Sequence, residues 1–247
     1  MVTIALYNIK GGVGKTAGCV NLAYLAASDD KKVLIWDLDP QGSASFYLKA
    51  RDTGKSGNIK KLLQGEIEPS GVIQETEFEN FWIIPAEFNN RHLDVLVEET
   101  KQNKKKWRSL ISKLGEEFDY LFIDCPPGIG PLSEAVFSVA DMLVLPTIPT
   151  TLSIRTYDQL IAFFESKDWS TEKIYAFFNM ADKRKNMHND TIEAYKRNKQ
   201  FFKQYIPYLS TVEKMGTHLT PVAWFAPSSY ATHAFRELWK EIKKKLG

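Results

Sequence analysis

Short apolar runs alternate with longer segments of helical spacing along most of the chain. Runs of strand length fall at 2–8, 33–38, 120–124, 142–146 and 174–179, and the segments 16–28, 89–100, 104–116, 131–139 and 154–167 carry the spacing of helices. Strands covered on both faces read as continuous apolar runs, so the alternation predicts a parallel sheet sandwiched by helices. A shorter run, Phe81-Trp82-Ile83-Ile84 before Pro85, adds a strand to the same sheet. The glycine- and proline-punctuated stretch 49–77 reads as an irregular excursion holding one short helix. The fold class is therefore α/β, with three layers and a mostly parallel twisted sheet flanked by helices on both faces. A length of 247 residues suits one hydrophobic core, and no repeat or linker interrupts the pattern, so a single domain over 1–247 is expected.

The first strand runs into a glycine-rich turn, Lys10-Gly11-Gly12-Val13-Gly14-Lys15-Thr16, and then into a helix. That order aims backbone N–H groups and a helix N-terminus at one place, which is what phosphate oxygens require. Lys15 adds positive charge for the β and γ phosphates of ATP, and the Thr16 hydroxyl is a hard oxygen donor for the Mg²⁺ that accompanies the nucleotide. Gly11, Gly12, Val13, Gly14 and Ala17 complete the expected nucleotide cradle. Ile9 stands where the strict G-x-x-x-x-G-K-[ST] pattern places its first glycine. Asp37, Asp39 and Asp124 each end an apolar strand, at the sheet edge where parallel α/β folds gather ligands. Carboxylates there can hold Mg²⁺ through water or orient an attacking water.

With Lys10 included, the turn resembles the deviant Walker A motif, K-G-G-x-G-K-[ST], of the ParA/MinD group of P-loop ATPases. Three further segments resemble that group in the same order: Val33 to Gly42 with its D-x-D-P-Q-G turn, Tyr120 to Gly128 with its D-C-P-P turn, and Leu145-Pro146 through Leu160. The likeness covers most of the chain and is nearest to the short ParA/Soj-type partition ATPases that lack an N-terminal helix-turn-helix. It implies that Asp124 is an outer-shell magnesium carboxylate, that Asp39 positions the hydrolytic water, and that Asp37 is a magnesium-side or structural partner. It also implies that Lys10 reaches across a two-fold interface to the partner subunit's nucleotide, so that Lys10, Lys15 and Asp39 form the catalytic set of an ATP-bound homodimer. Asn179 and Pro207 are the adenine-contact candidates by the same resemblance. Slow ATP hydrolysis, stimulated by a ParB-like or cargo-adaptor protein, would then time DNA partition or the positioning of a cargo.

The net charge of +2 divides unevenly along the chain. Residues 180–247 hold 13 Lys and Arg against 6 Asp and Glu, a net of +7, and residues 1–179 hold 19 against 24, a net of −5. A basic end suits a polyanion, and phosphate neutralisation gives sequence-independent, salt-sensitive DNA binding. Lys183, Arg184, Lys185 and Lys214 are the DNA-binding candidates, with Lys196, Arg197, Lys199 and Lys203 read along a helix. Arg184 matches a DNA-contacting arginine of the small partition ATPases, and Thr211 occupies the second such position.

Two other functions share the core. A MinD-like membrane-associated ATPase would use a basic amphipathic helix, and Ala231, Phe235, Leu238, Ile242 and Leu246 do share one face beside Lys240, Lys243, Lys244 and Lys245. The same stripe suits a terminal helix packed on a sheet, which is the preferred reading. A metabolic synthetase of the cobyrinic acid a,c-diamide synthase type would need amide-handling groups, and no Cys/His/Glu arrangement for them is visible. Cys19 and Cys125 have neither disulfide nor metal-ligand spacing, and the four histidines have no zinc spacing. With no apolar run near the roughly 18 residues of a membrane helix, and no basic leader ahead of Val2, a cytoplasmic protein is expected, with nucleoid association if DNA is bound.

Overall fold

The computed structural model describes residues 1–51, 58–87 and 103–247. The helix expected over 89–100 lies outside the described residues. Among the described residues seven strands form one sheet: β1 (Val2–Leu6), β2 (Val33–Asp37), β3 (Gln74–Glu75), β4 (Phe81–Ile84), β5 (Tyr120–Asp124), β6 (Met142–Thr147) and β7 (Ile174–Phe178). Their spatial order is β3-β4-β2-β5-β1-β6-β7. All pairings are parallel except β3 with β4, which is antiparallel. The register sets Asp124 beside Leu6 on one flank and beside Asp37 on the other. Two acidic strand ends thus meet next to the strand that feeds the phosphate turn.

Side-chain alternation along each strand divides the core in two. On one face Ile4, Leu6, Val33, Ile35, Phe122, Val144 and Phe177 meet α1 (Lys15–Ala27) and the C-terminal helix. On the other, Tyr7, Leu34, Trp36, Leu121, Ile123, Leu143 and Leu145 meet the helices that flank β5 and β6. The helix α1 packs against both the sheet and the C-terminal helix, and ten of its thirteen residues are buried. An all-round apolar helix is the sequence signature of that position.

The remaining helices follow in chain order: α2 (Ser43–Tyr47), α3 (Asn58–Gln64), α4 (Asn103–Leu114), α5 (Pro131–Val139), α6 (Thr151–Ser166), α7 (Asn186–Tyr195), the short α8 (Ser210–Glu213), α9 (Met215–His218) and α10 (Val222–Phe225), and α11 (Tyr230–Leu246). Pro131 starts α5 at a position where its missing N–H has no helical partner to lose, and the Thr150 and Ser229 side chains cap α6 and α11. The stripe on α11 is core: Ala231, Phe235, Leu238 and Ile242 are all buried. Trp239 Nε1 and Lys243 Nζ both donate to Asp29 beyond the end of α1, at 2.9 and 2.6 Å. Among the described residues no helix is long and apolar enough to cross a membrane.

One expected helix does not form. Lys196, Arg197, Lys199 and Lys203 do not continue α7, which ends at Tyr195. Asn198 turns the chain by accepting from Gln200 N at 2.9 Å, and Phe202 N then donates to Ala176 O at 2.8 Å. Burial of Phe201 and Phe202 against β7 outcompetes the helix that the lysines and glutamines favour.

Candidate phosphate-binding site

The turn after β1 is held at three points. The Asn8 side chain donates to Pro146 O at 2.9 Å and accepts from Lys10 N at 2.9 Å, joining the turn to β6. Gly128 N donates to Ile9 O at 3.0 Å, and Tyr7 Oη donates to Gly128 O at 2.9 Å, joining it to the turn after β5. Asn179 Nδ2 donates to Val13 O at 2.7 Å from the end of β7. Gly12 and Gly14 take φ of +73° and +86°, a region that disfavours side chains. Gly14 is doubly constrained, because a Cβ there would lie 2.3 Å from Asn179 Nδ2.

The two lysines of the turn differ in exposure. Lys10 is exposed at the rim. Lys15 opens α1, is buried, and donates from Nζ to Lys10 O at 3.2 Å. Burial lowers the Lys15 pKa, and the charges of Asp124 and Asp39 oppose that shift. An anion placed beside this ammonium would favour its charged form.

Asp124 is fully buried, and neither carboxylate oxygen has a hydrogen-bond partner. Burial first, and the charge of Asp37 second, hold its carboxyl well above the usual carboxylate range. The Thr16 hydroxyl and Lys15 lie near enough to pull it partly back. An orphaned buried carboxylate beside a hydroxyl and an ammonium is an unfavourable arrangement when it has no partner of its own. It fits a hydrated divalent cation carried in by a polyphosphate.

Asp37 is also fully buried, yet its oxygens are occupied. Oδ2 accepts from Ser45 N at 2.8 Å and Ser45 Oγ at 2.7 Å, and Oδ1 accepts from Asp39 N at 3.2 Å. Desolvation still raises its pKa to about 6, against those hydrogen bonds. Asp39 is half-buried, and its Oδ1 accepts from Gln41 N at 3.0 Å. Here Asp37 serves the turn that carries Asp39.

Asn179 and Pro207 come to one corner, because Ala181 bridges to Pro207 in parallel and its N–H donates to Ile206 O at 3.1 Å. The Asn179 amide nitrogen is committed to Val13. Lys183, Arg184 and Lys185 follow β7 and are exposed, as is Lys214 between α8 and α9. Arg184 is folded onto Asp182 in a two-pronged pair, Nε to Oδ1 and a terminal nitrogen to Oδ2, each at 2.9 Å. Lys183 Nζ stands 5.5 Å from the Tyr205 ring centre.

Sequence reasoning missed Asn8, Ser45 and the clasp from Asn179. A polar residue at a strand end beside a glycine-rich turn was the available signal for Asn8. Ser45 and Asn179 act through contacts that only the folded sheet creates.

A family profile described as an AAA domain matches residues 1–174. The sporulation initiation inhibitor protein Soj of Bacillus subtilis is 27% identical over 245 residues, covering 97% of each chain. The chromosome partitioning protein ParA of Myxococcus xanthus is 26% identical over 250 residues, covering 98% of this chain and 88% of its own. Among solved structures, the ATP complex of Cyanothece McdA superposes with a TM-score of 0.86 at 19% identity, covering 100% of this chain and 96% of that one. The phosphate turn, the acidic strand ends and this full-length kinship agree: the chain belongs to the ParA/MinD family of P-loop ATPases.

Proposed function

We propose that the chain is a ParA-like switch: residues 1–247 form one ATPase domain that binds ATP with Mg²⁺, closes into a nucleotide-sandwich homodimer, binds DNA without sequence preference, and hydrolyses ATP slowly. The observation that carries this reading is the contrast in burial between the two lysines of the turn. Lys15 is buried near the acidic strand ends, and Lys10, at the other end of the same turn, is exposed at the rim. A charged side chain at the rim of a phosphate cradle is placed to reach a nucleotide in a second subunit, as an arginine finger does.

In this reading the backbone N–H groups of Gly11 to Ala17 and the Lys15 ammonium hold the phosphates. The Thr16 hydroxyl would hold the cation, and Asp124 would hold it through water. Magnesium would supply charge neutralisation at the β and γ phosphates. Asp39 orients the attacking water, and Asp37 supports Asp39. Asn179 and Pro207 border the adenine. Lys183, Arg184, Lys185 and Lys214 meet DNA phosphates; the name of the Myxococcus xanthus ParA points to chromosome partition, and the task, that or a related positioning one, is cytoplasmic in this reading. A ParB-like or cargo-adaptor protein would stimulate hydrolysis.

The test is sizing chromatography of Asp39→Ala with ATP, with and without duplex DNA. A dimer that forms with ATP, persists, and retains DNA is expected. Lys15→Ala should remain monomeric, and Lys10→Ala should bind ATP without dimerising. A monomeric Asp39→Ala protein with ATP bound would sink the sandwich reading. Hydrolysis that required an added carboxylate substrate would point to a synthetase instead.

A further inference from the structure

We propose that Ser45 is a positioning residue for Asp39, acting through Asp37 and anchored on the end of β4. The inference rests on the reading of Asp39 as the carboxylate that orients water. Four groups form one continuous chain of hydrogen bonds. Ala86 N donates to Ser45 Oγ at 2.8 Å, Ser45 Oγ donates to Asp37 Oδ2 at 2.7 Å, and Asp37 Oδ1 accepts from Asp39 N at 3.2 Å. Ser45 N adds a second bond to Oδ2 at 2.8 Å.

The Ser45 hydroxyl has one proton, and Asp37 takes it; its lone pair is what Ala86 N meets. A hydroxyl used in both senses cannot be replaced by an apolar group without leaving an N–H and a buried carboxylate oxygen short of a partner. Asp37 is fully buried, so water does not substitute for the missing donor. The turn it holds is already tight. Gly42 takes φ of +63°, a region that disfavours side chains, and donates to Asp39 O at 2.8 Å. The first helical turn of α2, the Asp39 turn and Ala86, two residues past β4, are therefore one braced unit. Ser45 is the side chain that joins all three.

The structure also explains why the brace is needed. Asp39 itself is half-exposed, and its side chain bonds forward, to Gln41 N in its own turn. Its backbone N–H is restrained from behind by Asp37. A carboxylate that must hold water in line with a phosphate loses rate steeply with small displacements.

The experiment compares Ser45→Ala, Ser45→Thr and the parent protein in three readouts: equilibrium ATP binding by fluorescent-nucleotide titration, single-turnover hydrolysis, and amide hydrogen exchange over 39–45 without nucleotide. Ser45→Ala should bind ATP within about twofold of the parent, hydrolyse about tenfold more slowly, and exchange about tenfold faster over 39–45, as expected when a hydrogen bond to a charged group is removed. Ser45→Thr keeps the hydroxyl and should recover most of both. Faster exchange with unchanged hydrolysis would overturn the positioning role, as would parent-like exchange and turnover in Ser45→Ala. Loss of ATP affinity together with hydrolysis would make Ser45 a binding determinant and also overturn it. A parent protein that bound no ATP would fail the ATPase reading itself, and parent hydrolysis with a parent-like Ser45→Ala would fail this proposal alone.

Discussion

Asn179, at the end of β7, donates its side-chain amide to the carbonyl of Val13 at 2.7 Å, across 166 residues of sequence. Through that bond the strand at one side of the site fixes the apex of the phosphate turn, whose glycines have no side chains to fix it.

Removing the clasp should loosen the cradle before it unfolds the protein. Asn179→Ala leaves a buried carbonyl unpaired, a change worth about 1–3 kcal/mol, and it should weaken ATP binding about tenfold in a fluorescent-nucleotide titration. Gly14→Ala should abolish binding, because its φ is +86° and the new methyl would lie 2.3 Å from the Asn179 amide. Adding Asn179→Ala to Gly14→Ala relieves the clash and not the backbone strain, so the double variant should stay defective. Parent-like affinity in Asn179→Ala would show that the turn holds its shape without the clasp.

Much of this site was open to sequence reading, because a phosphate turn is built from backbone and its chemistry is local. Lys15 and Thr16 sit where the helix starts, and Asp37 and Asp124 end strands whose apolar runs are unmistakable. The strand Phe81–Ile84 and the helix Pro131–Val139 also fall where the pattern put them. What escaped was non-local or too short to have a period. The two residues of β3 cannot show alternation, and Ser45 is one serine among many until β4 brings Ala86 to it. The segment 196–203 misled for a physical reason: its polar residues favour helix, while two phenylalanines gain more from burial beside β7.

The basic face makes a separate prediction through Arg184. Its guanidinium is fully exposed and holds the Asp182 carboxyl down at about 2. DNA phosphate would have to compete with that carboxylate for the same planar fork. Asp182→Ala should therefore tighten ATP-dependent duplex binding by a few fold at low salt, whereas alanine at Lys183, Arg184 and Lys185 together should weaken it. The slope of log K against log salt should flatten by roughly 0.9 for each phosphate that the variant no longer neutralises. Duplex affinity unaffected by either change would move the face to another part of the surface.

The C-terminal helix carries a stability prediction. Leu238 is fully buried between α11 and the sheet, so Leu238→Ala should cost about 2–5 kcal/mol in denaturant unfolding, as large-to-small core changes do. Lys244→Gln, on the outer face of α11, should change stability by less than about 0.5 kcal/mol. A helix that served to lie on lipid would behave the other way, with Leu238 dispensable in solution and parent protein sedimenting with anionic vesicles. Neither is expected, since the apolar stripe is already packed into the core.

The unpartnered carboxylate of Asp124 predicts an opposition between stability and binding. Burial and the neighbouring Asp37 raise its pKa in the folded protein above the unfolded value of 3.8. For an acid shifted in that direction, the folded state holds the proton more tightly than the unfolded state does. The resulting stability is fully present below pH 3.8 and is lost as pH rises through the folded pKa. Asp124→Asn cannot ionise and escapes that loss. In nucleotide-free protein its melting temperature should therefore gain on the parent's as pH is raised from about 4, the ordinary carboxylate range, toward neutrality. With ATP and Mg²⁺ the order should reverse, because the parent then has a cation to hold and the variant has no charge to hold it with. Melting curves for both proteins, across pH and with and without Mg-ATP, make the measurement. A difference between them that stayed constant with pH would mean that ionisation of Asp124 does not destabilise the empty site.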